Sequence, residues 1–282
     1  MLLNALLVAV QLSVGWRAHS TALIADALHN LGDISGLLLS WAALWISRRP
    51  ASARFPFGFG RVTVHAAIIN CLLVIGAAGV ITYEAAARIG NPPVLDAPPV
   101  MLAAALGIAV NIFSALPFFR HQARDVGARA IVLHLLADAA VSGGVLLSAV
   151  LVHLSGKHWI DPAVTLVVAA LVLRSVWHPL REAIALSLDA VPGDLVAADL
   201  RRELIDKVAP ARLVELHMWA RSTTARAASV RLEVEPGADP NPLLDTVRHL
   251  LAEHHGIAEV VTEVRWRGSE PDPSHPSTSS SH

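Results

Sequence analysis

The stretch Ala25-Asp26-Ala27-Leu28-His29-Asn30-Leu31-Gly32-Asp33 places a histidine and two aspartates inside a run, residues 21–46, that is otherwise as apolar as membrane lipid. That run exceeds the roughly 20 residues a helix needs to cross a bilayer. Much later in the chain, Leu133-His134-Leu135-Leu136-Ala137-Asp138 repeats the His-x-x-x-Asp spacing in another apolar run. Residues four apart share a helix face, so each stretch aims an imidazole and a carboxylate the same way. Two such helices facing each other supply two nitrogens and two oxygens, a four-ligand set of the kind zinc favours. His29, Asp33, His134 and Asp138 are therefore the candidate metal ligands.

The composition says what solvent these helices live in. Of 282 residues, 54% are hydrophobic and only 16% charged, and the mean hydropathy is +0.53, well above an ordinary soluble domain. A net charge of −1 offers no basic face for nucleic acid. The single cysteine, Cys71, excludes a disulfide framework or a cysteine-rich zinc cluster and reads as packing.

Six apolar runs follow one another. Residues 1–16 are short for a crossing and borrow from 17–21; without a basic leader they read as a first span rather than a signal peptide. The second run, 21–46, stops at Arg48-Arg49-Pro50. The loop after it contains Phe55-Pro56-Phe57-Gly58-Phe59-Gly60-Arg61, which lacks the lysine of a phosphate-binding loop and reads as a turn with interfacial aromatics. Spans three to six are expected at 62–87, 99–119, 130–154 and, opened by His158-Trp159-Ile160-Asp161-Pro162, up to 188. Arginines gather in the loops after spans two (Arg48, Arg49, Arg54, Arg61) and four (Arg120, Arg124, Arg129). Basic residues are held on the cytoplasmic side, so both termini are expected there.

After Asp189 the composition changes, and Pro192-Gly193-Asp194 reads as a linker and helix cap. A helix is expected over 195–208, strands over 213–219 and 228–235, a turn over 236–240, a helix over 242–254 and a last strand over 257–266. The second strand alternates Val230, Leu232 and Val234 with Arg231, Glu233 and Glu235. The order αββαβ implies a small two-layer α+β domain. The expected division is 1–189 membrane domain, 190–266 soluble C-terminal domain and 267–282 a disordered Ser- and Pro-rich tail.

A charge at the bilayer centre costs about 2.5–3.5 kcal/mol on insertion scales, so intramembrane ionisable residues are read as functional by default. The same spacing twice makes metal or proton traffic the reading for the His/Asp pairs. Asp26 shares their face and is read as an outer residue that orients or screens the site or lines its approach. His65 and His153, near span ends, read as interfacial or packing residues. Asn70 and Asn111 read as hydrogen-bonding groups between helices.

Taken together, residues 19–33 (His-Ser-Thr-Ala-Leu-Ile-Ala-Asp-Ala-Leu-His-Asn-Leu-Gly-Asp), the Phe-x-Phe-Gly-x-Gly-Arg loop, Leu133 to Asp138 and the αββαβ domain resemble the cation diffusion facilitator family, its zinc-exporting branch. The likeness covers nearly the whole chain. It implies six transmembrane helices and a cytoplasmic domain of ferredoxin-like, metallochaperone-like kind that dimerises and regulates. It implies a homodimer in a bacterial inner or plasma membrane, exporting a divalent metal in exchange for protons, with His29, Asp33, His134 and Asp138 as the transport site and no enzymatic activity.

Two imidazoles and two carboxylates suit Zn²⁺ as the carried ion, with Cd²⁺, Co²⁺ and Ni²⁺ also compatible; an all-carboxylate set would lean to manganese or iron. The chain departs from some relatives in having no histidine-rich loop after span four, and Phe57 and Phe59 where others place metal-binding histidines. In the soluble domain His217, His249 and His254, with His255 beside them, form a weak candidate for regulatory metal binding. An intramembrane metallohydrolase would want a His-Glu-x-x-His motif, which is missing. A membrane metal sensor or structural protein that binds without transport is the alternative, and metal flux into vesicles separates it from a carrier.

Overall fold

The computed structural model describes residues 2–119, 125–193, 195–257 and 259–268. The loop from Arg120 to Arg124, the cap at Asp194 and the tail beyond 268 therefore lie outside the described residues. The chain forms two compact units, one from Met1–Trp45 with His65–Ala183, the other from Ile46–Val64 with Ile184–His282.

The first unit is helical: α1 (Leu2–Arg17), α2 (Thr21–Ser47), α3 (Val62–Ile89), α4 (Ala97–Phe119), α5 (Val126–Ser155) and α6 (Ile160–Ser187). Helices α2 to α6 are each long and apolar enough to cross a membrane, whereas α1 is a shorter apolar helix of 16 residues. Five strongly apolar candidate spans thus stand where six were expected. Their packing is inverted relative to a water-soluble protein. Small residues such as Ala22, Ala103, Ala104 and Ala149 are buried, while Trp41, Tyr83, Leu102 and Phe113 face outward. Lipid supplies no hydrophobic force between helices, so close approach of small residues holds them together and large apolar side chains are left for the tails. Gly107 of α4 shows how close the approach is: a Cβ there would lie 3.0 Å from both Gln11 Nε2 of α1 and Ser142 Oγ of α5.

Local chemistry sets the helix ends. Asp125 caps α5 by accepting from Gly127 N at 2.8 Å, and Gly156, at φ 66°, closes it with its N–H on Val152 O. The start of α2 is capped by another helix. Asp161, in the first turn of α6, accepts from Thr21 N at 2.7 Å, Ala22 N at 3.2 Å, Thr21 Oγ1 at 2.9 Å and Ser20 Oγ at 2.6 Å. The orphan amides of a helix N-terminus thereby find a partner out of reach of water.

The second unit holds α7 (Ala197–Val208), β1 (Arg212–Ala220), β2 (Arg226–Val234), α8 (Asn241–His249), a π-helical turn (Leu250–His254) and β3 (Glu259–Trp266). The sheet order is β1-β2-β3, with β1 antiparallel and β3 parallel to the central β2. Ala228, Val230 and Leu232 of β2 meet Leu200 and Leu204 of α7 and Val247 and Leu251 of the second helical segment in one core. The expected helix over 242–254 is broken at its end into the π turn, and the last strand begins at Glu259 rather than 257. The same unit includes residues 46–64, the loop between α2 and α3 together with the last residues of α2 and the first residues of α3. Arg221 of the β1–β2 turn donates to Phe57 O and lies 5.4 Å over the Phe57 ring, and Thr223 N donates to Thr63 Oγ1 at 3.1 Å. Gly60 is required there, since a Cβ would come within 2.8 Å of Arg221 O.

Candidate metal site

Helices α2 and α5 present the two His-x-x-x-Asp pairs to each other. His29 Nε2 lies 3.2 Å from Asp138 Oδ1, and His134 Nε2 lies 3.6 Å from Asp33 Oδ2 and 3.7 Å from Asp138 Oδ2. Ligating atoms of His29, Asp33 and Asp138 fall within 4.8 Å of one another, the one such triad of possible metal-ligating side chains among the described residues. His134 stands at its edge, touching both carboxylates. Burial is graded: the Asp138 side chain is 5% exposed, His29 16%, Asp33 38% and His134 53%. The site is thus closed on the Asp138 side and open towards His134. Each carboxylate faces an imidazole across the helix pair, and His29 and Asp138 are within hydrogen-bond distance. A divalent ion entering among these atoms would exchange those contacts for coordination bonds and release any proton the ligands carry.

Asp26, one turn before His29, is fully buried and belongs to a separate set of contacts. Its Oδ2 accepts from Gln11 Nε2 at 2.7 Å and from Ser142 Oγ at 2.8 Å, and Asn30 Nδ2 donates to Gln11 Oε1 at 3.4 Å. Asp26 Oδ1 has no hydrogen-bond partner. Asn70 accepts from Ser35 Oγ at 3.3 Å, a bond between α2 and α3 of the kind expected, whereas Asn111 Nδ2 is buried without a partner. Gln11, Ser142 and Asp161 were not singled out by the sequence as supporting groups. A lone hydroxyl or amide in an apolar run has no spacing partner to flag it. Beside the triad, Ala25, Leu28, Val74, Ala78, Ile81 and Val168 line a small apolar cavity with His29 in its wall.

The soluble-domain histidines fall into separate groups. His217 pairs with Glu215 at 2.6 Å on β1, while His254 and His255 converge on Glu203 at 3.0 and 2.8 Å. His249 ends α8 and shares neither cluster. Hydrogen bonds from His255 and His254 hold the Glu203 carboxyl below the usual carboxylate range, and that from His217 does the same for Glu215. Arg231 and Arg265 likewise lower Glu263, which in turn raises Arg231.

Several apolar helices long enough to span a bilayer, with histidines and aspartates clustered between two of them, define a multi-pass membrane protein of the cation-handling class. The comparison with known proteins is more specific: residues 1–186 match the cation efflux transmembrane domain, and the chain belongs to that family of transporters. It is 30% identical over 260 residues to the zinc transporter ZitB of Escherichia coli, covering 92% of this chain and 83% of that one. It is 28% identical over 250 residues to the metal cation efflux system protein CzcD of Cupriavidus metallidurans, covering 88% and 79%. A cadmium, cobalt and zinc/H(+)-K(+) antiporter of Bacillus velezensis is 28% identical over 255 residues, covering 89% and 81%.

Proposed function

We propose that this protein exports divalent metal ions, zinc foremost, from the cytoplasm in exchange for protons, with His29, Asp33, His134 and Asp138 as the ligands of the carried ion. The observation that carries the reading is the meeting of the two His-x-x-x-Asp pairs between α2 and α5, with ligating atoms of His29, Asp33 and Asp138 within 4.8 Å of one another. The names of the relatives, zinc transporter and metal cation efflux protein among them, support the direction and the cargo. The word antiporter in the name of the Bacillus velezensis relative supports proton exchange. In this reading α1 completes a six-span membrane domain over 1–189, and the arginine-rich loops set both termini in the cytoplasm of a bacterial cell. Residues 190–266 form a cytoplasmic domain for homodimerisation and regulation, of ferredoxin-like kind. His217, His249 and His254 are its weak metal-sensing candidates, and Glu203, engaged by His254 and His255, gives the latter pair an acidic partner that a metal would share.

Ligand chemistry makes the metal preference testable. Two nitrogens and two oxygens favour Zn²⁺ over Mn²⁺, which prefers oxygen. Initial uptake of Zn²⁺, Cd²⁺, Co²⁺, Ni²⁺ and Mn²⁺ into inverted membrane vesicles holding the full chain should be highest for Zn²⁺. Equal or faster Mn²⁺ uptake would sink the ligand assignment, and binding without uptake of any of them would sink transport.

A further inference from the structure

Helices α2 and α5 meet in three successive polar rungs. Asp33 Oδ2 faces His134 Nε2 at 3.6 Å, His29 Nε2 faces Asp138 Oδ1 at 3.2 Å, and Asp26 Oδ2 accepts from Ser142 Oγ at 2.8 Å. From each rung to the next the two sequences move in opposite directions by about one helical turn, as antiparallel neighbours must. Two rungs consist of the proposed cation ligands. The third consists of groups that are fully buried, and it is tied to more than one helix. The Asp26 oxygen that takes the Ser142 bond also accepts from Gln11 Nε2 of α1 at 2.7 Å. Gly107 of α4 lies so close that a Cβ would stand 3.0 Å from both donors. Three helices meet at one carboxylate oxygen, and α4 packs against its two donors.

We propose that Asp26 is a positioning residue for the cation site: through Ser142 and Gln11 it holds α2 and α5 in the register at which His29, Asp33, His134 and Asp138 converge. The proposal rests on the reading of those four as the ligand set. A metal ion that enters replaces the His–Asp contacts of the first two rungs, so those rungs cannot fix the helix spacing in both the empty and the loaded state. The Asp26 rung can. Its partners are an amide and a hydroxyl, neither of them among the proposed ligands that an ion would engage. Zinc demands this spacing, because its donors must all come within about 2.0–2.2 Å of one centre; the larger cadmium ion tolerates a wider set.

The hold is made by one oxygen acting as acceptor, with Asp26 Oδ1 unpartnered. Asparagine offers a carbonyl oxygen in the same place and keeps both bonds, whereas alanine keeps neither. Full-length protein in proteoliposomes, assayed for initial rates with Zn²⁺ and Cd²⁺ separately, tests this. Losing two bonds to a charged acceptor should lower the zinc-over-cadmium ratio of kcat/KM in Asp26→Ala by about tenfold or more, chiefly through KM. Asp26→Asn should restore the ratio to within about threefold of the parent, on the same hydrogen-bond scale. A simple folding defect reduces the active fraction for both metals alike and leaves the ratio unmoved. An unchanged ratio in Asp26→Ala overturns the proposal, and so does an Asn variant as impaired as Ala, since charge rather than the clasp would then matter. Should Asp26→Ala yield no folded protein, Ser142→Ala, which removes one bond and no charge, must shift the ratio the same way; if it does not, the proposal falls. Failure of the underlying ligand reading shows elsewhere, as retained transport in Asp138→Ala.

Discussion

Asp138 is the most enclosed member of the candidate site and faces both histidines, at 3.2 Å from His29 and 3.7 Å from His134. Its removal deprives His29 of its hydrogen-bond partner and His134 of a neighbouring carboxylate and, in the proposed reading, the ion of a buried negative ligand. Disturbing groups that only support a metal ligand costs 10–100-fold, so Asp138→Ala should lower zinc transport by at least about 100-fold. Thermal unfolding of the purified protein should stay near the parent, because losing one of two neighbouring carboxylates also removes like-charge repulsion with Asp33. Transport at the parental rate would remove Asp138 from the ligand set. His29→Asp makes a complementary test. It exchanges a nitrogen for an oxygen on the same helix face and should retain metal binding while raising Mn²⁺ uptake relative to Zn²⁺ in the same vesicles.

Helices and strands differ in how much of them the chain announces. The apolar runs of α2 to α6 were legible because length and lipid-like composition need no partner to be recognised. The His-x-x-x-Asp spacing likewise fixed a face of α2 and a face of α5. Which histidine meets which carboxylate was not legible, since the pairing of His29 with Asp138 and His134 with Asp33 depends on the antiparallel register of the two helices. The same limit hid Asp161, whose role as a cap belongs to α2 and not to its own helix. In the soluble domain the alternation of Val230, Leu232 and Val234 marked β2, but its parallel pairing with β3 comes from the crossover through α8. On that sheet Arg231 bridges Glu215 and Glu263, and Arg265 Nε adds a second bond to Glu263 at 2.5 Å. These bonds favour the ionised Glu263, so its folded-state pKa lies below the unfolded one. The stabilisation is therefore fully present above the ordinary glutamate pKa of about 4.3 and is lost as pH falls below it. Glu263→Gln should lower the unfolding temperature of the full chain slightly at pH 7, in keeping with roughly 1 kcal/mol or less for exposed pairs. The gap between variant and parent should narrow as pH falls below the ordinary glutamate value of about 4.3 and close only once pH has fallen through the lowered folded-state pKa of Glu263, where the parental carboxyl is also neutral. A gap of the same size at both pH values would mean that the ion pairs are not its source.

For the molecule as a whole, the question is what drives an ion outward without a nucleotide-binding loop. Imidazole nitrogens and carboxylates bind a metal only when deprotonated, so in the proposed reading metal and protons compete for the same four side chains. Histidine's ordinary pKa of about 6.5 lies near cytoplasmic pH, where a modest change in proton activity shifts that competition. The His29–Asp138 and His134–Asp33 contacts set each imidazole nitrogen beside a carboxylate. If the site exchanges metal for protons outside and protons for metal inside, an inward proton gradient pulls zinc outward. Inverted vesicles acidified inside should then accumulate Zn²⁺ against its gradient while their lumen loses protons, with both fluxes following the same time course. A protonophore added at the start should abolish the accumulation and leave only equilibration. The Asp138→Ala chain should show neither flux. Concentrative zinc uptake with no proton movement and no response to the protonophore would refute proton coupling while leaving the metal site itself intact.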